Sequence, residues 1–196
     1  MSAAQGRQIA LADLDLAQFI RAGDSIVWGQ SAAEPLSLIQ AYVAQRQRFA
    51  RTSVFLGIGG ATTLQRAHAD AIDMRGYAAG GSHRALGMAD VLDPIPCHYS
   101  QIPQLIASRR IAVDVVFVQV SPSNADGECS LGLAHDYLVT AMRHARCVIA
   151  EVNADVPWVA GASLRLADVD AWVQSDQDVV DVPAGKIGPA EEAIAQ

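Results

Sequence analysis

VDVVFVQVSPSNADGECSLG, residues 113–132, decides the fold of this chain. Its first eight residues hold five valines and a phenylalanine, interrupted only by Asp114 and Gln119. Valine is stiff at its first side-chain torsion and packs well on a pleated surface, so this segment predicts a strand. The apolar run is nearly continuous rather than alternating, which predicts a strand covered on both faces of an α/β sheet. At Ser121 the vocabulary changes: residues 121–127 include Ser, Pro, Asn, Asp and Gly, the residues of tight turns. In open α/β sheets ligands bind in the crevice at the carboxyl ends of the strands. A buried strand delivering a polar, tightly turned loop is where a site is expected.

Working outward, DSIVW (24–28), TSVFL (52–56) and CVIAEV (147–152) predict further strands, and 35–50 an amphipathic helix with Leu36, Ile39, Tyr42 and Val43 on one stripe. Helices are also expected over 11–22, 100–108 (capped by Ser100, with Pro103 in its first turn) and 136–146. Residues near Tyr77 predict a short strand, 95–99 an extended connection, and 163–166 and 171–173 short strands around the turn ADVD. The expected architecture is α/β, an open, mostly parallel sheet with helices on both faces.

With 196 residues the chain can build one large domain with a sizeable core. A hydrophobic content of 51% with only 18% charged residues hints that some apolar surface is covered by something outside this sequence. The net charge of −7, without a basic cluster, argues against nucleic acid and anionic membranes as partners. Thirteen arginines and one lysine, Lys186, are scattered along the chain. Three cysteines without CxxC spacing read as reduced thiols, neither a disulfide frame nor a zinc site. No leader pattern or apolar span appears, so the expected location is cytoplasmic.

Each predicted strand hands over to small or hydrogen-bonding residues: Gln30-Ser31 and Glu34 after 24–28, Gly59-Gly60 after 52–56, Ser121-Pro122 and Asn124 after 113–120, and Asn153 after 147–152. If the strands are parallel, these turns face one crevice. Taken singly they are weak. The GIGG at 57–60 lacks the G-x-G-x-x-G spacing and reads first as a tight turn. Cys97 and His98, adjacent on an extended segment, point to opposite sides. None of the five histidines has metal-ligand spacing. Glu151, a carboxylate in a run otherwise fit for burial, is either paired or facing a site.

WGQSAAEP (28–35), GGSHRALG (80–87), HYSQIPQL (98–105), the 113–132 stretch and CVIAEVNADVPWVAG (147–161) together resemble the acetyl-CoA hydrolase / 4-hydroxybutyrate CoA-transferase family, over nearly the whole chain. The wording WGQ-x-x-AEP also looks like a branch acting on small dicarboxylic acyl groups. Ser121, Pro122, Gly127, Ser130, Leu131 and Gly132 match the family pattern. Asn124, Asp126 and Glu128 stand where it often has Asp, His and Tyr, so any role of that histidine or tyrosine has no counterpart here.

The resemblance implies an enzyme of two similar α/β halves with coenzyme A as acyl carrier and no metal. A glutamate of the second half attacks the acyl-CoA thioester, giving an acyl anhydride and then a glutamyl-CoA thioester that a carboxylate or water resolves. This chain resembles the first half, without that glutamate; residues 1–188 form the domain and 189–196 open a linking helix that is cut short. Its implied partners are acyl-CoA, a small carboxylic acid, a C-terminal half and further copies of the chain. Gln30, Ser31, Glu34, Gly59, Gly60, Tyr99, Ser121, Pro122, Asn124, Ser130 and Asn153 are the expected substrate-side residues. Two competing expectations are a non-catalytic acyl-CoA or sugar-phosphate sensor and, resting on 57–60 alone, a nucleotide-dependent oxidoreductase.

Overall fold

The computed structural model describes residues 6–181, 185 and 187–195; Lys186 lies outside them. After the edge strand β1 (Arg7–Gln8) come two short 3-10 turns, Leu11–Asp13 and Leu16–Gln18, where the sequence predicts a helix over 11–22. Leu14, Leu16 and Ile20 are still buried in the core, but they are carried there by two separate turns rather than by one helix. β2 (Ser25–Trp28), α1 (Leu36–Gln45) and β3 (Thr52–Leu56) then form the expected β–α–β unit. β4 (Ile72–Gly76), α2 (Arg84–Met88), β5 (Leu92–Pro94) and α3 (Ile102–Ala107) follow. Pro103 does sit in the first turn of α3, but Ser100 lies in a preceding 3-10 turn and does not cap it.

β6 (Val115–Val120), the strand predicted from the opening stretch, has all six residues buried. Its loop returns through β7 (Glu128–Ser130) and passes into α4 (Leu138–His144) and β8 (Cys147–Asn153). β9 (Ser163–Arg165) and β10 (Ala171–Ser175) flank the ADVD turn but belong to different sheets: β9 pairs antiparallel with β7, and β10 pairs parallel with β8. α5 (Pro189–Ile194) opens at the predicted proline.

The main sheet has the order β1-β10-β8-β6-β2-β3-β4-β5, and every neighbouring pair is parallel. One face packs Trp28, Leu38, Tyr42 and Phe117 under α1, and the other packs Val118, Ile102, Ile106 and Leu138 under α3 and α4. Trp28 stacks on Phe117 with centroids 6.4 Å apart. Helices on both faces explain why the strands read as continuous apolar runs. From β2 the chain proceeds outward to β3, β4 and β5, then returns to the other side of β2 to lay down β6, β8 and β10. The strand order therefore reverses between β2 and β6. At such a switch point the connections leave in opposite directions and open a crevice at the carboxyl edge.

Candidate functional site at the carboxyl edge

Gln30, two residues past the end of β2, is the hub of that crevice. Its Oε1 accepts from the Ile58 backbone N–H at 2.9 Å and from the Tyr77 hydroxyl at 2.8 Å. Its Nε2 donates to the Asp136 carboxylate at 2.8 Å and to the Tyr99 hydroxyl at 3.2 Å. Both acceptor and both donor positions of the amide are occupied, so its orientation is fixed. Burial and the neighbouring Asp136 carboxylate push the Tyr99 phenol far above its ordinary range. Gly57 is glycine for a steric reason: a Cβ there would strike the Gln30 side chain.

The glycine loop 57–61 is clamped from both sides. On one side, Ser31 N–H donates to Ile58 O at 2.9 Å, and the two Glu34 oxygens accept from the N–H groups of Gly60 (2.8 Å) and Ala61 (2.9 Å). On the other side, Gly59 N–H donates to Gly80 O at 3.1 Å and Ser82 N–H donates to Gly59 O at 3.0 Å. The Ser82 hydroxyl donates to Ala61 O, and His83 Nδ1 lies 3.0 Å from Gly57 O. Burial lowers the His83 pKa, and because a carbonyl oxygen can only accept, Nδ1–H donates to it. Glu34 is 3% exposed; desolvation raises its pKa, opposed by the two backbone N–H groups. The N–H groups of residues 58 to 61 all have protein partners, leaving none to cradle a phosphate. The loop is a girder, and the oxidoreductase reading loses its only support.

A second group of predicted residues fastens the 121–132 return. The buried Ser121 hydroxyl accepts from Ser130 N–H and donates to Pro122 O, both at 2.9 Å. Ser130 Oγ donates to Val159 O at 2.8 Å and accepts from the N–H groups of Gly132 (3.0 Å) and Val159 (3.1 Å). Asn124 Oδ1 accepts from the N–H groups of Asp126 and Glu128, which closes the turn into β7. Asn153 accepts from Asp155 N–H at 2.9 Å and donates to Gln177 O at 2.7 Å. Ser130→Ala strands the N–H groups of Gly132 and Val159 and is expected to cost about 2 kcal/mol in urea unfolding; an unchanged midpoint contradicts that clamp.

The structure thus joins Gln30 directly to Tyr99, and ties Ser31 and Glu34 to the glycine loop containing Gly59 and Gly60. Ser121, Pro122, Asn124 and Ser130 form a separate group at the 121–132 return, Asn153 bonds Asp155 and Gln177 instead, and none of these side-chain hydrogen bonds reaches the Gln30 network among the described residues. Tyr77 and Asp136 were not singled out as site residues from sequence, and neither carries a local signal: Asp136 lies 106 positions from Gln30. His83 and Ser82 sit inside the GGSHRALG match, but their work on the glycine loop is a tertiary fact.

Glu151 resolves to the first of its two readings. It is fully buried, and its Oε2 accepts from Leu38 N–H at 3.0 Å, capping α1, whose own N-cap residue Pro35 offers no side-chain acceptor. A cavity of about 540 Å³ runs beside α3, but its lining carries only Cys97 and Arg110 as titratable groups and the hub residues are not among it.

Residues 9–183 match the family described as acetyl-CoA hydrolase/transferase N-terminal domain. The chain is 27% identical over 174 residues to 4-hydroxybutyrate coenzyme A transferase of Clostridium kluyveri, covering 87% of this chain and 41% of that one. It is 23% identical over 199 residues to succinyl-CoA:cyclohexane-1-carboxylate CoA transferase of Geobacter metallireducens, covering 96% and 43%. The crystal structure of RipA from Yersinia pestis superposes with a TM-score of 0.83 at 26% identity, covering 93% of this chain and 45% of RipA. The chain therefore spans less than half the length of these relatives. With the motifs, the parallel sheet and the family match in agreement over nearly the same residues, this chain belongs to the acetyl-CoA hydrolase/transferase N-terminal domain family.

Proposed function

We propose that this chain is the amino-terminal half of an acyl-CoA transferase or hydrolase, and that it forms the acyl-substrate wall of a cleft whose nucleophile comes from a carboxyl-terminal half. The observation that carries this reading is the state of the polar groups at the carboxyl edge. The Ser121 and Ser130 hydroxyls are buried and fully engaged with backbone, so neither is an activated nucleophile. The Gln30, Tyr77, Tyr99 and Asp136 cluster is rigid and has residues open to solvent, suiting it to bind and orient rather than to attack. Ile58, Tyr99, Leu133, Trp158 and Val159 expose apolar surface on connections at the same edge, as expected of a wall that a second body covers.

In this reading coenzyme A is the acyl carrier and a small carboxylic acid the second substrate. A glutamate of the second half attacks the thioester carbonyl, the CoA thiolate leaves, and its return to the anhydride yields a glutamyl-CoA thioester and a free carboxylate. Helix α5 leads toward that half, residues 1–188 being the domain itself. The assembled enzyme is a cytoplasmic homo-oligomer. No helix among the described residues is long and apolar enough to cross a membrane.

Mixing experiments test this. Residues 1–196 alone should show no exchange between acyl-CoA and acetate, and exchange should appear when a carboxyl-terminal half bearing the glutamate is supplied. Robust exchange by residues 1–196 alone would falsify the division of labour. Saturable acyl-CoA binding by the isolated chain, indifferent to the second half, is instead the result expected of a sensor domain.

A further inference from the structure

Among the described residues, five non-glycine residues have positive φ. Ala50, Asp90 and Arg109 follow helical turns, where the left-handed conformation is an ordinary terminator. Ser31 (φ 53°) and Asp136 (φ 30°) do not: one opens a 3-10 turn and the other precedes α4. These two strained positions lie on either side of a single contact, the 2.8 Å hydrogen bond from Gln30 Nε2 to Asp136 Oδ2. Backbone strain held in place by a side-chain network is a recurrent mark of a site that must present one group in one direction.

The group presented is a carboxylate. Gln30 has no hydrogen-bonding capacity left, whereas Asp136 is exposed and has no ion-pair partner among the described residues. The charge distribution around it is one-sided. Among the described residues, the segments that leave the carboxyl ends of the strands, 29–35, 57–65, 77–83, 95–101, 121–137, 154–162 and 176–181, contain no Arg or Lys, although the chain has 14; Lys186, farther along the connection after β10, lies outside the described residues. They contain Glu34, Asp126, Glu128, Asp136, Asp155, Asp176, Asp178 and Asp181. Among the described residues of these segments a ligand carboxylate meets no Arg or Lys, and Asp136 is the exposed carboxylate that the Gln30 network fixes.

We propose that Asp136, held by Gln30, is a specificity-determining residue that excludes acyl groups bearing a second carboxylate, so that the substrate class is a short acyl group with an uncharged distal end. This rests on the reading of the chain as half of an acyl-CoA transferase. It departs from the dicarboxylic branch that WGQ-x-x-AEP resembles. Selection operates through a repulsive element rather than an added attraction: a neutral chain is indifferent to Asp136, while a carboxylate there brings like charges together in a partly desolvated cleft.

Butyryl-CoA and succinyl-CoA are a matched pair for the test, differing at the distal carbon by methyl against carboxylate. In the enzyme assembled with its carboxyl-terminal half, kcat/KM for transfer to acetate should be at least about tenfold higher with butyryl-CoA. Asp136→Asn should narrow that ratio by roughly threefold or more, chiefly through a lower KM for succinyl-CoA. Asp136→Ser serves if the asparagine variant does not fold. Equal or higher activity with succinyl-CoA in the wild type overturns the proposal, and an unchanged ratio in the folded variants removes Asp136 as its source. Absence of exchange with either thioester instead overturns the transferase reading, and the proposal with it.

Discussion

Glu151→Gln is expected to equal or exceed the wild type in stability near neutral pH, whereas Glu151→Ala should lose about 3 kcal/mol. Glu151 is wholly buried on β8, where one oxygen caps α1 through Leu38 N–H and the other, Oε1, has no hydrogen-bond partner. Desolvation raises its pKa, against the pull of the Leu38 N–H. A carboxyl with a raised folded-state pKa binds more protons folded than unfolded. Its contribution is complete below the unfolded value of about 4.5 and is lost as pH rises through the folded value.

The amide keeps the acceptor for Leu38 and carries no charge, so it removes that loss. Alanine leaves the helix terminus without a partner and opens a cavity. Denaturant unfolding of wild type and both variants from about pH 5 to about pH 8 measures the effect. The glutamine variant should gain on the wild type as pH rises. A pH-independent difference between them contradicts the assignment.

Glu34→Ala should cost about 3 kcal/mol and loosen residues 57–61. Both Glu34 oxygens accept backbone N–H groups, from Gly60 and Ala61, in a part-buried setting. Removing the carboxylate strands two donors on the connection that also gives Ile58 N–H to Gln30. Glu34→Gln should rescue little, because its NH₂ would confront one of those N–H groups; the contrast with Glu151 arises because there only one oxygen is bonded. Hydrogen exchange is the direct readout: the Gly60 and Ala61 amides should lose protection in both variants. Retained protection with wild-type stability would show that the loop holds itself without Glu34.

Much of the fold was legible in the sequence because parallel strands buried on both faces announce themselves locally. The valine run at β6 and the apolar segments at β2, β3 and β8 needed no tertiary information, and Thr52–Leu56 begins and ends where the composition changes. Short elements were less legible. β7 has three residues and exists because it pairs with β9, itself expected at 163–166, across more than thirty positions, a non-local condition that no window over 128–130 detects. The 11–22 segment buries Leu14, Leu16 and Ile20 in the core, but through two separate 3-10 turns rather than as the stripe of one helix.

At the site, sequence identified the connections and tertiary structure decided their duties. Turn chemistry alone placed hydrogen-bonding residues at Gln30, Ser121, Asn124 and Asn153, because a strand leaving a sheet needs residues that turn and residues that satisfy freed backbone groups. Whether such a side chain is open to a ligand or already engaged depends on partners far away in the chain. Glu151 meets Leu38 across 113 positions, Ser37 meets Ser175 across 138, and Gln30 meets Asp136 across 106. The residues of 113–132 by themselves determined that a buried strand ends in a polar return at the carboxyl edge. Only the packed sheet determined that Ser121 and Ser130 brace that return while Asp136, four residues beyond it, faces the crevice. Local propensity fixes where a backbone turns, but hydrogen-bond saturation is a property of the assembled neighbourhood.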